Sequence, residues 1–158
     1  MKMFLLIILV WWSSFIKAPT YIFPIDKLFG KVSLNTLYEK IVESNVKFPD
    51  IVFAQAILES GYFTSQLFKT TNNLFGMKYP KIRKNFAIGK SKSGYAVYSH
   101  WTKSVDDYIE WQKRTIKSNL NISRSGYLQK LSKIYCTDPS YISKINQITK
   151  LFNNYEKT

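Results

Sequence analysis

Glu59 is the only acidic side chain between Asp50 and Asp106, an interval that holds Lys69, Lys78, Lys81, Arg83, Lys84, Lys90, Lys92 and Lys103. It sits in "AQAILESGYFTSQLFKTTNNLFGMKYP", residues 54–80, near the expected C-terminal end of a helix and beside Phe53, Tyr62 and Phe63. The negative end of a helix dipole and the loss of water among aromatic rings both favour the protonated carboxyl. An acid that keeps its proton near neutral pH is what general-acid cleavage of a glycosidic bond requires. Taken on its helix alone, Glu59 reads more simply as a solvated helix-end residue, and the surrounding motifs decide between the two. Metal chemistry is not expected: the chain has one histidine, His100, and one cysteine, Cys136, too few ligands for a transition-metal site. No cofactor is implied. His100, in "YSHW", reads as a half-buried residue at a strand end, and Cys136 as a small core residue.

The elements that must position Glu59 follow from periodicity and punctuation. Leu34, Leu37, Ile41 and Val42 recur at helical spacing, with Ser33 or Asn35 as caps. Pro49 and Asp50 suit the first turn of a second helix with an apolar stripe of Ile51, Ala54, Ile57 and Leu58, and Gly61 suits its stop. Residues 64–71 form a short third helix that ends at "NNLFG". Pro80, Gly89 and Gly94 punctuate residues 77–100, and "GYAVYSHW" alternates, so a small β-hairpin is expected there. Helices resume over about 103–118, with Val105, Tyr108, Ile109 and Ile116 inward, and over about 127–135, with Leu128, Leu131 and Ile134 inward. The last begins at Asp138–Pro139, an acid at the N-cap before proline at N1, and carries Ile142, Ile145, Thr149 and Phe152 on one face. The fold class is mainly α with a small β-hairpin lobe.

With 158 residues and 46% hydrophobic content, the chain is long and apolar enough for one domain with a real core. The net charge of +13 favours polyanionic partners. Residues 1–18, "MKMFLLIILVWWSSFIKA", have the form of a signal peptide: Lys2, then an apolar run of ten residues from Met3 to Trp12, with Ala18 before the expected cut. That run is short for a membrane span. Because Ile16 is bulky near the cut, an uncleaved anchor over residues 3–16 stays open, as does a buried helix. The expected organisation is a leader at 1–18, an arm at 19–33 and a domain at 34–158, in an exported protein whose only contact with the membrane is the N-terminal segment.

Three ordered blocks carry a resemblance. The first is Ala54, Gln55, Ala56, Leu58, Glu59, Ser60, Gly61 and Tyr62, followed by Thr64 and Ser65 and by Asn72 to Lys78. The second is "AVYSHWTKSVDDYIEW". The third is "YCTDPSYISKI", with Tyr135, Thr137, Asp138, Pro139 and Tyr141, where Cys136 replaces the usual alanine. Together, over about residues 34–153, these resemble the glucosaminidase family of bacterial cell-wall hydrolases, which includes flagellar peptidoglycan hydrolases and autolysins. The resemblance implies a lysozyme-like fold and Glu59 as the acid that protonates the leaving oxygen of a β-1,4 bond after N-acetylglucosamine in peptidoglycan. It also implies a groove wall at Asn73, Leu74, Phe75 and Gly76, where backbone and the Phe75 ring meet sugar, with Gln55 and Lys78 in the substrate-binding set. Tyr135 and Tyr141 stand where the family places a site tyrosine. Asp138, Thr137 and Pro139 read as helix-capping residues.

One departure bears on mechanism. Many family members carry a second carboxylate in the β lobe, and residues 77–105 here contain none. Inverting and double-displacement routes each need one. Asp106, Asp107 and Glu110 come next, on the following helix; one could reach the groove, but they read more simply as solvated acids of a helix's first turn. Substrate assistance is the remaining route: the 2-acetamido group attacks the anomeric carbon, Glu59 serves as acid and then base, and Tyr135 or Tyr141 stabilises the charge. On this reading Glu59→Gln abolishes lysis, while Asp106→Asn and Asp107→Asn leave most of it. The runs "KYPKIRK" and "GKSKS" read as solvated surface that can also steer the chain to anionic wall polymers. Two rivals remain open: a lytic transglycosylase or muramidase on the same fold, and a basic module that binds nucleic acid or wall without catalysis. The leader and the motif argue against nucleic acid.

Overall fold

The structure is a computed structural model that describes residues 32–116, 121–135 and 138–155. The leader, nearly all of the arm, Cys136 and Thr137 lie outside the described residues. Along the described chain run α1 (Leu34–Glu43), α2 (Pro49–Glu59), α3 (Gln66–Thr71), β1 (Gly89–Lys90), β2 (Ala96–Val97), α4 (Trp101–Ile116), α5 (Arg124–Tyr135) and α6 (Tyr141–Tyr155). This is the mainly α architecture with a small antiparallel lobe that the sequence implies. No helix of the described residues is long and apolar enough to cross a membrane.

At the centre lies α2. Every residue from Ile51 to Ile57 is buried, so the helix is enclosed on all sides instead of presenting the single stripe expected from Ile51, Ala54, Ile57 and Leu58. It packs mainly on α6 and on α1. Ser33 caps α1 by accepting a hydrogen bond from the Thr36 amide. Two residues expected inside are outside: Val42 is 48% exposed and Ile134 is 43% exposed. Val42 lies about 100° round the helix from the buried Ile41, off the arc that Leu34 and Leu37 share. Ile134 lies only about 20° round α5 from the wholly buried Tyr127, but in the last turn, one residue before the helix ends.

The β lobe is two residues deep on each strand, paired Gly89 with Val97 and Lys90 with Ala96. Gly94, at φ 78°, makes the turn between them. So small a sheet cannot hold itself together, and side chains of the helical body hold it. Asn73 receives the Met77 amide at its carbonyl (3.0 Å) and donates to the carbonyls of Met77 (2.9 Å) and Ala96 (3.0 Å). Asn72, left-handed at the end of α3, donates to the Tyr98 carbonyl at 2.8 Å.

Candidate active site

Glu59 is the last residue of α2, where the central helix emerges from the core. The segment after it accounts for the motif "ESGYFTS". Gly61, Tyr62 and Phe63 are all left-handed, at φ 59°, 55° and 62°, so the chain turns sharply as soon as the acid is passed. Tyr62 and Phe63 pay a steric penalty of roughly 1–2 kcal/mol each for that conformation. Ser60 answers part of it: its hydroxyl donates to the Ile57 carbonyl (3.2 Å) and accepts from the Phe63 amide (3.0 Å). Ser65 then caps α3 through the Phe68 amide. The turn leaves Tyr62 exposed beside Glu59 and sends Phe63 inward against Phe68.

Burial pushes the Glu59 carboxyl up to about 7, and a hydrogen bond with Tyr141 pulls the other way. The rise expected from the sequence is present, and desolvation is its main cause. Tyr141, at the start of α6, is buried. Asp138 sets that start. Its carboxylate accepts from the Ser140 amide (2.8 Å) and hydroxyl (2.7 Å) and pairs with Lys144 at 2.7 Å. The Lys144 and Ser140 contacts bring its pKa down to about 2. The capping role expected of Asp138 is thus observed, although the helix begins two residues beyond Pro139, at Tyr141.

Tyr135, the last residue of α5, stands edge-on to Trp111 with ring centroids 5.5 Å apart. Burial first, and then the nearby Glu59, raise its hydroxyl well above the usual range. Arg83 and Asp107 also act on it. Among the described residues its hydroxyl has no hydrogen-bond partner. The structure therefore brings Glu59, Tyr135 and Tyr141 together, the three residues the sequence puts forward for chemistry.

Beneath them is a polar floor that pattern reading does not reveal. The Tyr108 hydroxyl donates to Gln55 at 2.6 Å and lies 2.7 Å from the Tyr127 hydroxyl. Gln112 donates to Tyr127 (2.7 Å) and to the Lys47 carbonyl (2.9 Å). Gln55, one helical turn before Glu59, is wholly buried in this network through its carbonyl, while its amide nitrogen has no hydrogen-bond partner among the described residues.

Other expected positions also change character. Asn73, Leu74 and Phe75 are at most 1% exposed, and the Phe75 ring packs on Tyr108 at 4.2 Å. In this packing Phe75 has no face to offer a sugar. The "NNLFG" run is the joint between body and lobe, and of its residues Asn72 and Gly76 are half-buried, Gly76 at φ 61° with open space around it. Lys78 is exposed, with its ammonium over the Tyr95 ring at 3.3 Å and bonded to the Ser93 carbonyl at 3.0 Å. His100 is exposed and not half-buried; its Nδ1 lies 2.9 Å from the Thr102 hydroxyl at the start of α4.

The largest correction concerns the acids of α4. Asp106 is largely covered, its side chain 17% exposed, and bridges Lys40 at 2.7 Å and Lys103 at 3.1 Å, while Glu110 pairs with Lys113. Asp107 is not solvated at all. It is wholly buried and takes four donors: the Arg83 guanidinium through both oxygens (2.5 and 2.8 Å), the Tyr98 hydroxyl (2.7 Å) and the Phe86 amide (3.3 Å). Arg83, from the run read as solvated surface, is turned inward to meet it. Two consecutive acids look identical in sequence, and a helix places their side chains about 100° apart. Among the described residues no cluster of three or more His, Cys, Asp or Glu side chains can hold a metal.

The fold, with an acid at the end of a core helix and a small antiparallel lobe, is that of a lysozyme-like domain. Residues 35–154 match the model of the glucosaminidase family, described as mannosyl-glycoprotein endo-beta-N-acetylglucosaminidase, and the chain belongs to that family. It is similar to the exo-glucosaminidase LytG of Bacillus subtilis, with 30% identity over 150 residues that cover 82% of this chain and 50% of LytG. It is also similar to the protein bax of Escherichia coli, 40% identical over 79 residues that cover 50% of this chain and 27% of that protein. The chain thus spans half or less of these relatives. Among solved structures, the catalytic domain of the autolysin Auto from Listeria monocytogenes shares the fold with a TM-score of 0.54 at 24% identity, covering 79% of this chain and 85% of that one. A type VI secretion system effector–immunity complex from Pseudomonas protegens contains a chain with the same fold, at TM-score 0.55 and 17% identity, covering 78% of this chain and 88% of that one.

Proposed function

We propose that the chain is a glycoside hydrolase of bacterial peptidoglycan that cleaves the β-1,4 bond after N-acetylglucosamine, with Glu59 as general acid. The observation that carries this reading is the Glu59 carboxyl, desolvated to a pKa of about 7 at the mouth of α2. A carboxyl with that pKa is largely protonated at slightly acid pH and can both give and take a proton near neutrality. Family membership and the similarity to LytG and autolysins support the substrate class.

The mechanism is substrate-assisted. Glu59 protonates the glycosidic oxygen as the 2-acetamido oxygen of the same sugar attacks the anomeric carbon. The Glu59 carboxylate left behind then draws a proton from water, which opens the oxazolinium intermediate. The lobe has no acid to serve as a second carboxylate. Asp106 is held by two lysines and Asp107 by four donors, so neither is free to act as a base on water. Tyr135, whose hydroxyl has no hydrogen-bond partner among the described residues, faces the developing charge, and Tyr141 holds the acid. Gly76, Lys78 and the exposed Tyr62 are the residues available to meet the glycan. The mature chain acts outside the cytoplasm on peptidoglycan strands, and the lysines of the lobe favour anionic wall polymers.

Digestion of purified peptidoglycan followed by mass spectrometry of the muropeptides tests the reading. Products with reducing N-acetylglucosamine ends, absent with Glu59→Gln, are expected. Anhydro-muramic products would instead identify a lytic transglycosylase, and reducing muramic ends a muramidase. Intact sacculi together with a salt-sensitive shift of DNA would revive the nucleic-acid module.

A further inference from the structure

The buried pair of Arg83 and Asp107 lies outside the proposed chemistry, yet it is costly to assemble and is placed beside the site. Removing a guanidinium and a carboxylate from water is repaid only when geometry is good and the remaining lone pairs are satisfied. Both conditions hold. The fork of Arg83 is bidentate on Asp107, Tyr98 and Phe86 supply the other donors, and Arg83 also donates to the Lys84 carbonyl at 2.9 Å. The three groups that Asp107 gathers come from separate parts of the lobe. Arg83 and Phe86 belong to the irregular stretch before β1, and Tyr98 follows β2. Between Lys81 and Ala87 no residue lies in a helix or strand, and the bonds to Asp107, with the Lys103 ammonium 5.7 Å from the Phe86 ring centroid, tie that stretch to the helical body. Asp107 lies one helical turn before Trp111, whose ring stands edge-on to Tyr135 with centroids 5.5 Å apart, and the charges of Arg83 and Asp107 act on the Tyr135 hydroxyl. The stretch thus runs along the Tyr135 side of the site.

We propose that Arg83 is a positioning residue: clasped by Asp107, it fixes the 81–87 stretch as one rim of the glycan-binding groove at a set distance from Tyr135 and Glu59. The inference rests on the proposed glycan-binding site and assigns the pair no proton transfer. Arginine is required because a single ammonium cannot reproduce the two-oxygen grip.

The test uses the full chain carrying Arg83→Met together with Asp107→Asn, a pair of similar shape that leaves no unpaired buried charge and keeps an acceptor for Tyr98 and Phe86. Solubilised peptidoglycan strands are the substrate. The half-saturating strand concentration is expected to rise about 10-fold or more, with the pH at which activity is lost unchanged and amide exchange in residues 81–87 faster. Arg83→Lys is expected not to restore wild-type affinity. Wild-type half-saturation in the double variant, or restoration by lysine, would overturn the proposal. A shifted pH limit would overturn it too, because the pair would then act through its field. A drop in thermal stability with unchanged kinetics of the folded fraction would reduce the pair to a structural tie. Pelleting of the inactive Glu59→Gln chain with sacculi, with and without the clasp substitutions, reads the same rim without catalysis. If the wild type binds strands but does not cut them, the hydrolase reading fails while the clasp is still judged by affinity.

Discussion

Replacing Glu59 by Gln is expected to stabilise the folded chain while removing its activity. The folded carboxyl titrates at about 7 against 4.5 in the unfolded chain. Below pH 4.5 both states hold the proton and the group contributes no difference. As pH rises from there to about 7, the unfolded chain binds fewer protons than the folded one, so stability falls across that window. The accumulated cost above the folded pKa is ~3 kcal/mol at 1.36 kcal/mol per unit. Gln carries no charge to desolvate, and its amide can keep the bond to Tyr141. At about pH 8 the variant should therefore be more stable by ~2–3 kcal/mol, a rise in Tm of several degrees for a domain of this size. At about pH 4.5 the two proteins should melt together. Calorimetry or circular dichroism of both proteins across pH decides the matter. Two Tm curves that stay parallel from pH 4.5 to 8 would refute the reasoning, because a buried acid must make them diverge.

Tyr135→Phe should leave the melting temperature within a few degrees, since the hydroxyl bonds to nothing among the described residues, yet lower turnover of peptidoglycan by roughly 100-fold if it stabilises the developing charge. Tyr141→Phe removes the bond that lowers the Glu59 pKa; the alkaline limit of the activity profile should move to higher pH, measured as lysis rate against pH. Asn73→Ala strands the buried Met77 and Ala96 backbone groups and should cost about 3 kcal/mol in denaturant unfolding. Asp106→Asn should leave most of the lysis rate intact, because its lysine partners are surface charges and such pairs contribute about 0–1 kcal/mol. Asp107→Asn, expected from the sequence alone to be equally mild, should instead slow lysis by weakening the hold on Arg83.

The helices were legible because their signals are local. Ser33, Pro49 and Ser65 mark starts, Gly61 marks a stop, and the apolar residues of α4 recur at helical spacing. Glu59, Tyr135 and Tyr141 could be named because each lies in a motif of consecutive residues. What escaped depends on contacts across distance. Nothing local distinguishes Asp106 from Asp107, or Arg83 from Lys81 and Lys84; the difference is which one meets a partner some 24 residues away. The same holds for Phe75, which a family motif marks as important without saying whether it faces sugar or Tyr108. Gln55 in a helix of alanines and aliphatics was the one hint of the polar floor, since a buried amide calls for partners and its carbonyl finds the Tyr108 hydroxyl.

The enclosure of α2 also sets an order of events during synthesis. Its walls are α1, which precedes it, and α6, the last of the described helices to be made. Until α6 has left the ribosome and docked, α2 is a hydrophobic rod with one side bare, the kind of surface that chaperones and export factors hold. Tyr135 and Tyr141 arrive with the same late segment. A nascent chain carries Glu59 as an ordinary, solvated carboxylate, and its proton-donating character is acquired only when the two distant parts of the chain close around it. On the proposed function, catalytic competence is thus coupled to completion of the fold.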